Sequence, residues 1–189
     1  IDIMLAIDVS TSMLAEDLKP NRLEAAKDVA AEFINGRPND NIGITLFAGE
    51  TFTQCPLTVD HAVLLDMIHN IKCGLITDGT AVGMGIANAV TRLKDSKAKS
   101  KVIILLTDGT NNKGDISPMT AAEIAKSFGI RVYTIGVGTN GMAPYPYPVG
   151  NTVQYVSMPV EIDEKTLTEI AGTTDGNYFR ATSNSKLKE

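Results

Sequence analysis

Apolar residues recur along the chain in two rhythms. From Ile3 to Ile7 the sequence is apolar without a break and stops at Asp8, and Lys101 to Thr107 repeats the pattern up to Asp108. Unbroken runs this short fit strands buried on both faces of a parallel sheet, where no side chain meets water. Helical spacing takes over at Asn21 to Asn35, where Leu23, Ala26, Ala30, Phe33 and Ile34 share a face and Gly36 and Pro38 provide the stop. Asn41 to Phe47 alternates like a strand, and Glu50 to Gln54 follows as the second arm of an edge hairpin. Helices are predicted over Asp60 to Ile71, Val82 to Leu93, Ser117 to Phe128 and Glu161 to Ala171, and strands over Arg131 to Val137 and Asn177 to Ala181. The loop Cys73 to Thr80 joins the second and third helices.

This alternation predicts an α/β domain with a Rossmann-like, doubly wound, mostly parallel sheet, one antiparallel edge strand and helices on both faces. Sites in such sheets lie beyond the carboxyl ends of the strands, which directs attention to Asp8 and Asp108. Between Gly138 and Pro159, Pro144, Pro146, Pro148 and Pro159 are interleaved with Tyr145, Tyr147 and Tyr155. That stretch reads as a long ordered surface loop, with at most a small hairpin around Val153 to Val156.

The 189 residues suit one core, and 43% hydrophobic against 21% charged residues is a globular balance. A formal charge of -5 argues against a phosphate-backbone binder, so nucleic acid is not an expected partner. The basic-looking stretches Arg92 to Lys101 and Lys186 to Lys188 read as a solvated helix end and a solvated tail. No run approaches the roughly 18 apolar residues of a membrane span, so the segment itself is expected to be soluble. Because the chain opens inside a strand pattern, it is expected to be a piece of something longer, with any anchor outside it. Cys55 and Cys73 are too few for a disulfide scaffold, and the sequence leaves open whether they pair.

Asp8, Ser10 and Ser12 alternate where a buried strand runs out and offer one carboxylate and two hydroxyls to a common point. Asp108 ends the neighbouring strand within Thr107-Asp108-Gly109, and Thr80 adds a hydroxyl from the loop before a helix. Oxygen-only donors suit a hard cation such as Mg2+, Mn2+ or Ca2+ and are expected to serve Zn2+ or Cu2+ badly. Two carboxylates against a dication leave an open, electrophilic position that an incoming Asp or Glu would complete. Each piece alone has a blander explanation, since Asp and Ser readily tie turns and cap helices; five residues at matching strand ends are harder to explain that way.

Asp8-x-Ser10-x-Ser12 with Thr80 and Asp108 resembles the metal-ion-dependent adhesion site (MIDAS) of von Willebrand factor A (VWA) domains, and the resemblance covers nearly the whole chain, 1–189, as a single domain. It implies that Ser10, Ser12 and Thr80 ligate the ion, with Asp8 and Asp108 acting directly or through water, and that the domain is a protein-binding module and not an enzyme. More narrowly, Pro20-Asn21-Arg22-Leu23, Phe47-Ala48-Gly49-Glu50, Asp78-Gly79-Thr80-Ala81 and the flanks of the 138 to 159 stretch resemble the bacterial aerotolerance-associated Bat proteins. That likeness implies a membrane-anchored bacterial protein of the inner membrane, partnered by other VWA proteins and a MoxR-type AAA+ ATPase. One departure stands out: Ala81 and Val82 follow Thr80 where adhesion domains usually carry a second Thr, so coordination is expected to survive while switching between low- and high-affinity states need not. A scaffold that keeps the fold and leaves the metal site unused is the alternative.

Other chemistries fit less well. An aspartyl phosphotransferase needs a second acid two residues after the first, and that position is Ser10. A serine hydrolase needs a nearby histidine, whereas His61 and His69 fall on a helix. Gly83-Met84-Gly85 lacks the third glycine of a dinucleotide fingerprint and is better explained by close helix packing. Cys55, His61, His69 and Cys73 match no standard zinc spacing. Met13, Glu50, Asp78, Thr110 and Asn111 are expected around the rim of the metal site, where they would tune partner choice, although simple loop positions would also account for them.

Overall fold

A computed structural model describes residues 1–181; the Lys186 to Lys188 stretch lies outside them. Six strands form the main sheet in the order β3-β2-β1-β4-β5-β8, with β1 Asp2–Asp8, β2 Asn41–Phe47, β3 Thr51–Thr58, β4 Lys101–Thr107, β5 Ile130–Val137 and β8 Tyr178–Ala181. Every pairing is parallel except β2 with β3. The doubly wound sheet with an antiparallel edge is therefore the observed architecture. The edge arm is longer than the alternation suggested, because β3 runs on past Gln54 through Pro56 across register shifts that re-aim the strand.

Helices cover the two faces. α1 (Arg22–Asn35) and α2 (His61–His69) pack with Ile3, Leu5, Ile7, Ile42, Ile44 and Leu46 in one core layer. α3 (Val82–Leu93), α4 (Pro118–Ser127) and α5 (Glu164–Thr173) pack with Met4, Ala6, Ile103, Leu105 and Val132 in the other. Odd and even residues of β1 thus feed opposite cores, which is why its sequence is apolar throughout. Caps set the helix starts: Asn21, Asp60, Ser117 and Asp163 accept from the third residue on in each case. The Asp163 cap explains why α5 begins at Glu164 and not at Glu161. Lys27 on α1 donates to the carbonyls of His69 and Ile71, closing the end of α2.

Close packing also explains Gly83 and Gly85. A Cβ on Gly85 would stand 2.7 Å from the Phe47 ring, and one on Gly83 would collide with the Ile116 carbonyl. Gly85→Ala is expected to cost about 1–3 kcal/mol, as overpacking does, read as a lower denaturation midpoint in urea.

The largest correction concerns residues 138–159. They form a regular hairpin, β6 (Gly141–Val149) with β7 (Thr152–Val160), paired continuously from Gly141↔Val160 to Val149↔Thr152. The alternating prolines hid it, because proline is a poor strand signal unless it sits on an edge. Among the described residues no helix is long and apolar enough to cross a membrane.

Candidate metal centre

The strand ends bring four of the five expected residues into one hydrogen-bonded chain. Asp8 ends β1 and is fully buried; its Oδ1 accepts from the Ser10 amide at 2.9 Å and its Oδ2 from Thr107 Oγ1 at 2.7 Å. Ser10 and Ser12 hydroxyls lie 2.9 Å apart, and Ser12 Oγ donates to Asp108 Oδ2 at 2.5 Å. Asp108, just past β4, also accepts from the Thr110 amide and hydroxyl. Its direction depends on Gly109 at φ +84, where a side chain would press on Leu167 and the Asp163 carbonyl.

Thr80 is buried ahead of α3 and is fixed through its backbone to the loop that follows Asp108. Its amide donates to Asn112 Oδ1, and its carbonyl accepts from the amides of Asn112 and Lys113. Asn111 Oδ1 accepts from Val82 N, so both asparagines couple the Thr80 segment to the Asp108 loop. Asp78 performs the matching task on the other side, accepting from Thr11 N and Thr11 Oγ1. Thr110, Asn111 and Asp78 thus shape the site's surroundings. Met13 does not: it is fully buried in the core beneath the Thr11–Leu14 turn. Its long apolar side chain explains why.

Burial, then the neighbouring Asp108 carboxylate, push Asp8 up to about 7 despite its hydrogen bonds to Ser10 and Thr107. Two buried carboxylates bordered by hydroxyls form a donor set suited to a hard divalent ion. Among the described residues no group of three or more His, Cys, Asp and Glu is placed to hold a metal. That leaves the Cys55, His61, His69 and Cys73 zinc possibility without a site, and both thiols are free. The Cys73 thiol donates to the Ser10 carbonyl, and burial pushes it up to about 12, so it stays a neutral support for the turn.

The raised Asp8 makes a signed pH prediction. In the metal-free fold Asp8 keeps its proton to about 7 whereas the unfolded chain releases it near 3.8, so its contribution to stability is present at low pH and lost as pH rises between those values. A cation must displace that proton, so apparent Mg2+ affinity should fall up to about tenfold per unit below pH 7 and level off above it. Calorimetry at about pH 5.5 and about pH 8 checks both slopes.

In the sequence Arg22 enters only within the Bat-like Pro20-Asn21-Arg22-Leu23 segment, with no role at the site, and Asp17 enters no pattern. Arg22 opens α1 yet is 1% exposed; Asp17 holds it through Nε and Nη2 at 2.7 and 2.6 Å, while Nη1 stands 3.4 Å from Asp108 Oδ2. The Thr139 amide and hydroxyl also donate to Asp17. Burial would raise Asp17, but these hydrogen bonds outweigh it and hold the carboxyl below its usual value. A signal beside that segment is an arginine at the first position of an otherwise apolar helix face. Beside the site opens a cleft of about 350 Å³, with Ser12, Asp108 and Thr110 on one wall and Tyr145, Tyr147 and Met158 of the hairpin on the other.

Known proteins share this arrangement of elements. An aerotolerance-related membrane protein from Bacteroides fragilis is 34% identical with a TM-score of 0.88, covering 100% of this chain and 95% of that one. The protein BatB from Bacteroides thetaiotaomicron is 34% identical at a TM-score of 0.89, covering 100% and 94%. Proximal thread matrix protein 1 of the mussel byssus, solved with a zinc-occupied MIDAS motif, is 22% identical at 0.73 over 98% of this chain and 42% of that one, a likeness of fold. Among curated relatives, a Borreliella burgdorferi protein is 31% identical over 94% of this chain and 53% of its own length. A UPF0353 protein of Mycolicibacterium paratuberculosis is 33% identical over 98% and 57%. The chain spans a little over half the length of these curated relatives. The model of the von Willebrand factor type A domain matches residues 2–189, and with the strand order and site already described, the chain belongs to that family and is related to the Bat-type aerotolerance proteins within it.

Proposed function

We propose that this domain binds a divalent cation through Asp8, Ser10, Ser12, Thr80 and Asp108 and uses it to take an acidic side chain of a protein partner. The observation that carries the reading is the pair of buried carboxylates, Asp8 and Asp108, linked through Ser10 and Ser12 and short of positive charge. The Arg22 guanidinium reaches Asp108 at 3.4 Å, but it is already committed to Asp17 at shorter range. When bound, a hard dication supplies a positive centre able to exchange a water for a carboxylate. Asp8 and Asp108 would neutralise it, the three hydroxyls would complete its donors, and the 3.4 Å Arg22 contact would limit the net negative charge of the set. Mg2+ is the expected ion, with Mn2+ or Ca2+ as substitutes.

In this reading the Ser10 and Ser12 hydroxyls and the two carboxylates serve as donors to the cation, and the site captures a carboxylate without turning over a substrate. The Bacteroides fragilis relative is described as an aerotolerance-related membrane protein, which supports a role in a bacterial membrane-associated complex, with other VWA proteins or a MoxR-type ATPase as partners. Affinity capture from a bacterial membrane extract tests the reading. Partners should be retained in Mg2+ and lost both in EDTA and with Ser10→Ala; retention unchanged by either treatment would favour a scaffold whose metal site is idle.

A further inference from the structure

The β6–β7 hairpin stands apart from the main sheet, and its two outer edges are built differently. On β6, Pro144, Pro146 and Pro148 occupy alternate positions, paired with Ser157, Tyr155 and Val153. Proline has no N–H to give, so in a continuous antiparallel ladder these are the positions whose backbone faces away from β7. From Pro144 to Pro148 the outer edge of β6 therefore lacks donors, and the Glu16 amide occupies the Pro144 carbonyl at 2.9 Å. By the same register, Val153, Tyr155 and Ser157 on β7 turn their N–H and C=O groups outward, into solvent.

Other edges among the described residues are blunted. β3 carries Pro56 and register shifts, and β8 is four residues long with Arg180 in it. β7 is nine residues long, free of proline until Pro159, and exposed from Thr152 to Pro159. No charged residue occurs between Gly141 and Val160, although 21% of the chain is charged. Proteins that stay monomeric usually protect such an edge with lysine, proline or a bulge. Here that protection is on β6 and missing from β7.

We propose that β7 is a pairing edge through which two copies of this domain join, antiparallel, about a two-fold axis at Tyr155. In that register the outward groups of Val153 meet those of Ser157 of the second copy, and Tyr155 meets its own counterpart. Side chains then lie Tyr against Tyr, Val153 against Ser157, and Thr152 against Met158. The pairing covers Tyr155 and Val153, which are 65% and 58% exposed in the single domain. With no charges on the strand, two identical copies bring no like charges face to face. A single open edge per copy makes the contact self-complementary and closed, ending at a dimer. A foreign strand would need its own matched sequence, whereas the second copy already has one. The dimer would hold two Asp8/Asp108 sites in one particle, but the inference does not rest on what those sites bind.

Sedimentation equilibrium of the domain, taken to a few hundred micromolar, should show the average mass rising from 20.2 kDa toward twice that value. Tyr155→Pro removes the central outward N–H and leaves the β6 ladder intact, so it should hold the mass at the monomer value. Amide exchange on the wild type requires no variant: Val153, Tyr155 and Ser157 should gain protection on concentration, and Gln154 and Val156, already bonded to β6, should not. A wild type that stays monomeric, a dimer that survives Tyr155→Pro with the hairpin folded, or amides at 153, 155 and 157 that stay unprotected in the dimer would each overturn the proposal.

Discussion

Asp8→Asn is expected to lower divalent-cation affinity by at least about 100-fold while leaving the metal-free domain as stable as the wild type, or more stable, at about pH 8. The two effects have opposite signs for one reason. Asp8 sits fully buried beside Asp108, and burial, then the repulsion from Asp108, raises Asp8 to about 7. An amide keeps the shape and still accepts from the Ser10 amide, but it removes the buried negative charge. The fold loses a repulsion and the site loses half its carboxylate charge. Thermal melts with and without Mg2+ read both at once, and a variant that melts well below the metal-free wild type would mean that Asp8 is there for the turn alone.

Asp17→Ala is expected to destabilise the fold by about 3–5 kcal/mol, the usual result of leaving one member of a buried ion pair alone. Side-chain exposures of 2% for Arg22 and 4% for Asp17 put this pair among those little screened by water. Removing Asp17 also strands the Thr139 amide at the foot of the hairpin and frees Arg22 toward Asp108, its other acidic neighbour at 3.4 Å. Cation affinity should therefore fall together with stability. Urea unfolding gives the first quantity and calorimetry the second. A loss below about 1 kcal/mol would show that Arg22 escapes to water.

Much of this was legible in the residues. The strands β1 and β4 announce themselves because burial on both faces leaves no polar position, and the polar residue that ends each is the one at the site. Asp8, Ser10 and Ser12 could be grouped because alternate positions along one turn can share a centre. Arg22 and Asp17 could not, because their pairing brings a helix start against a loop and leaves no periodicity. The hairpin was hidden for a related reason: a proline's acceptability in a strand depends on which way its nitrogen faces, which only the pairing reveals. Met13 was misplaced because adjacency in sequence to Ser12 says nothing about which way a tight turn points its side chains.

The most direct test of the account is a calorimetric titration of Mg2+ and Mn2+ into the wild-type domain and into Asp108→Ala. The account predicts saturable binding at one site in the wild type and none in the variant. Absence of binding in the wild type, or equal binding in both proteins, would contradict the assignment of Asp8, Ser10, Ser12, Thr80 and Asp108 as a cation site and remove the basis for metal-bridged docking.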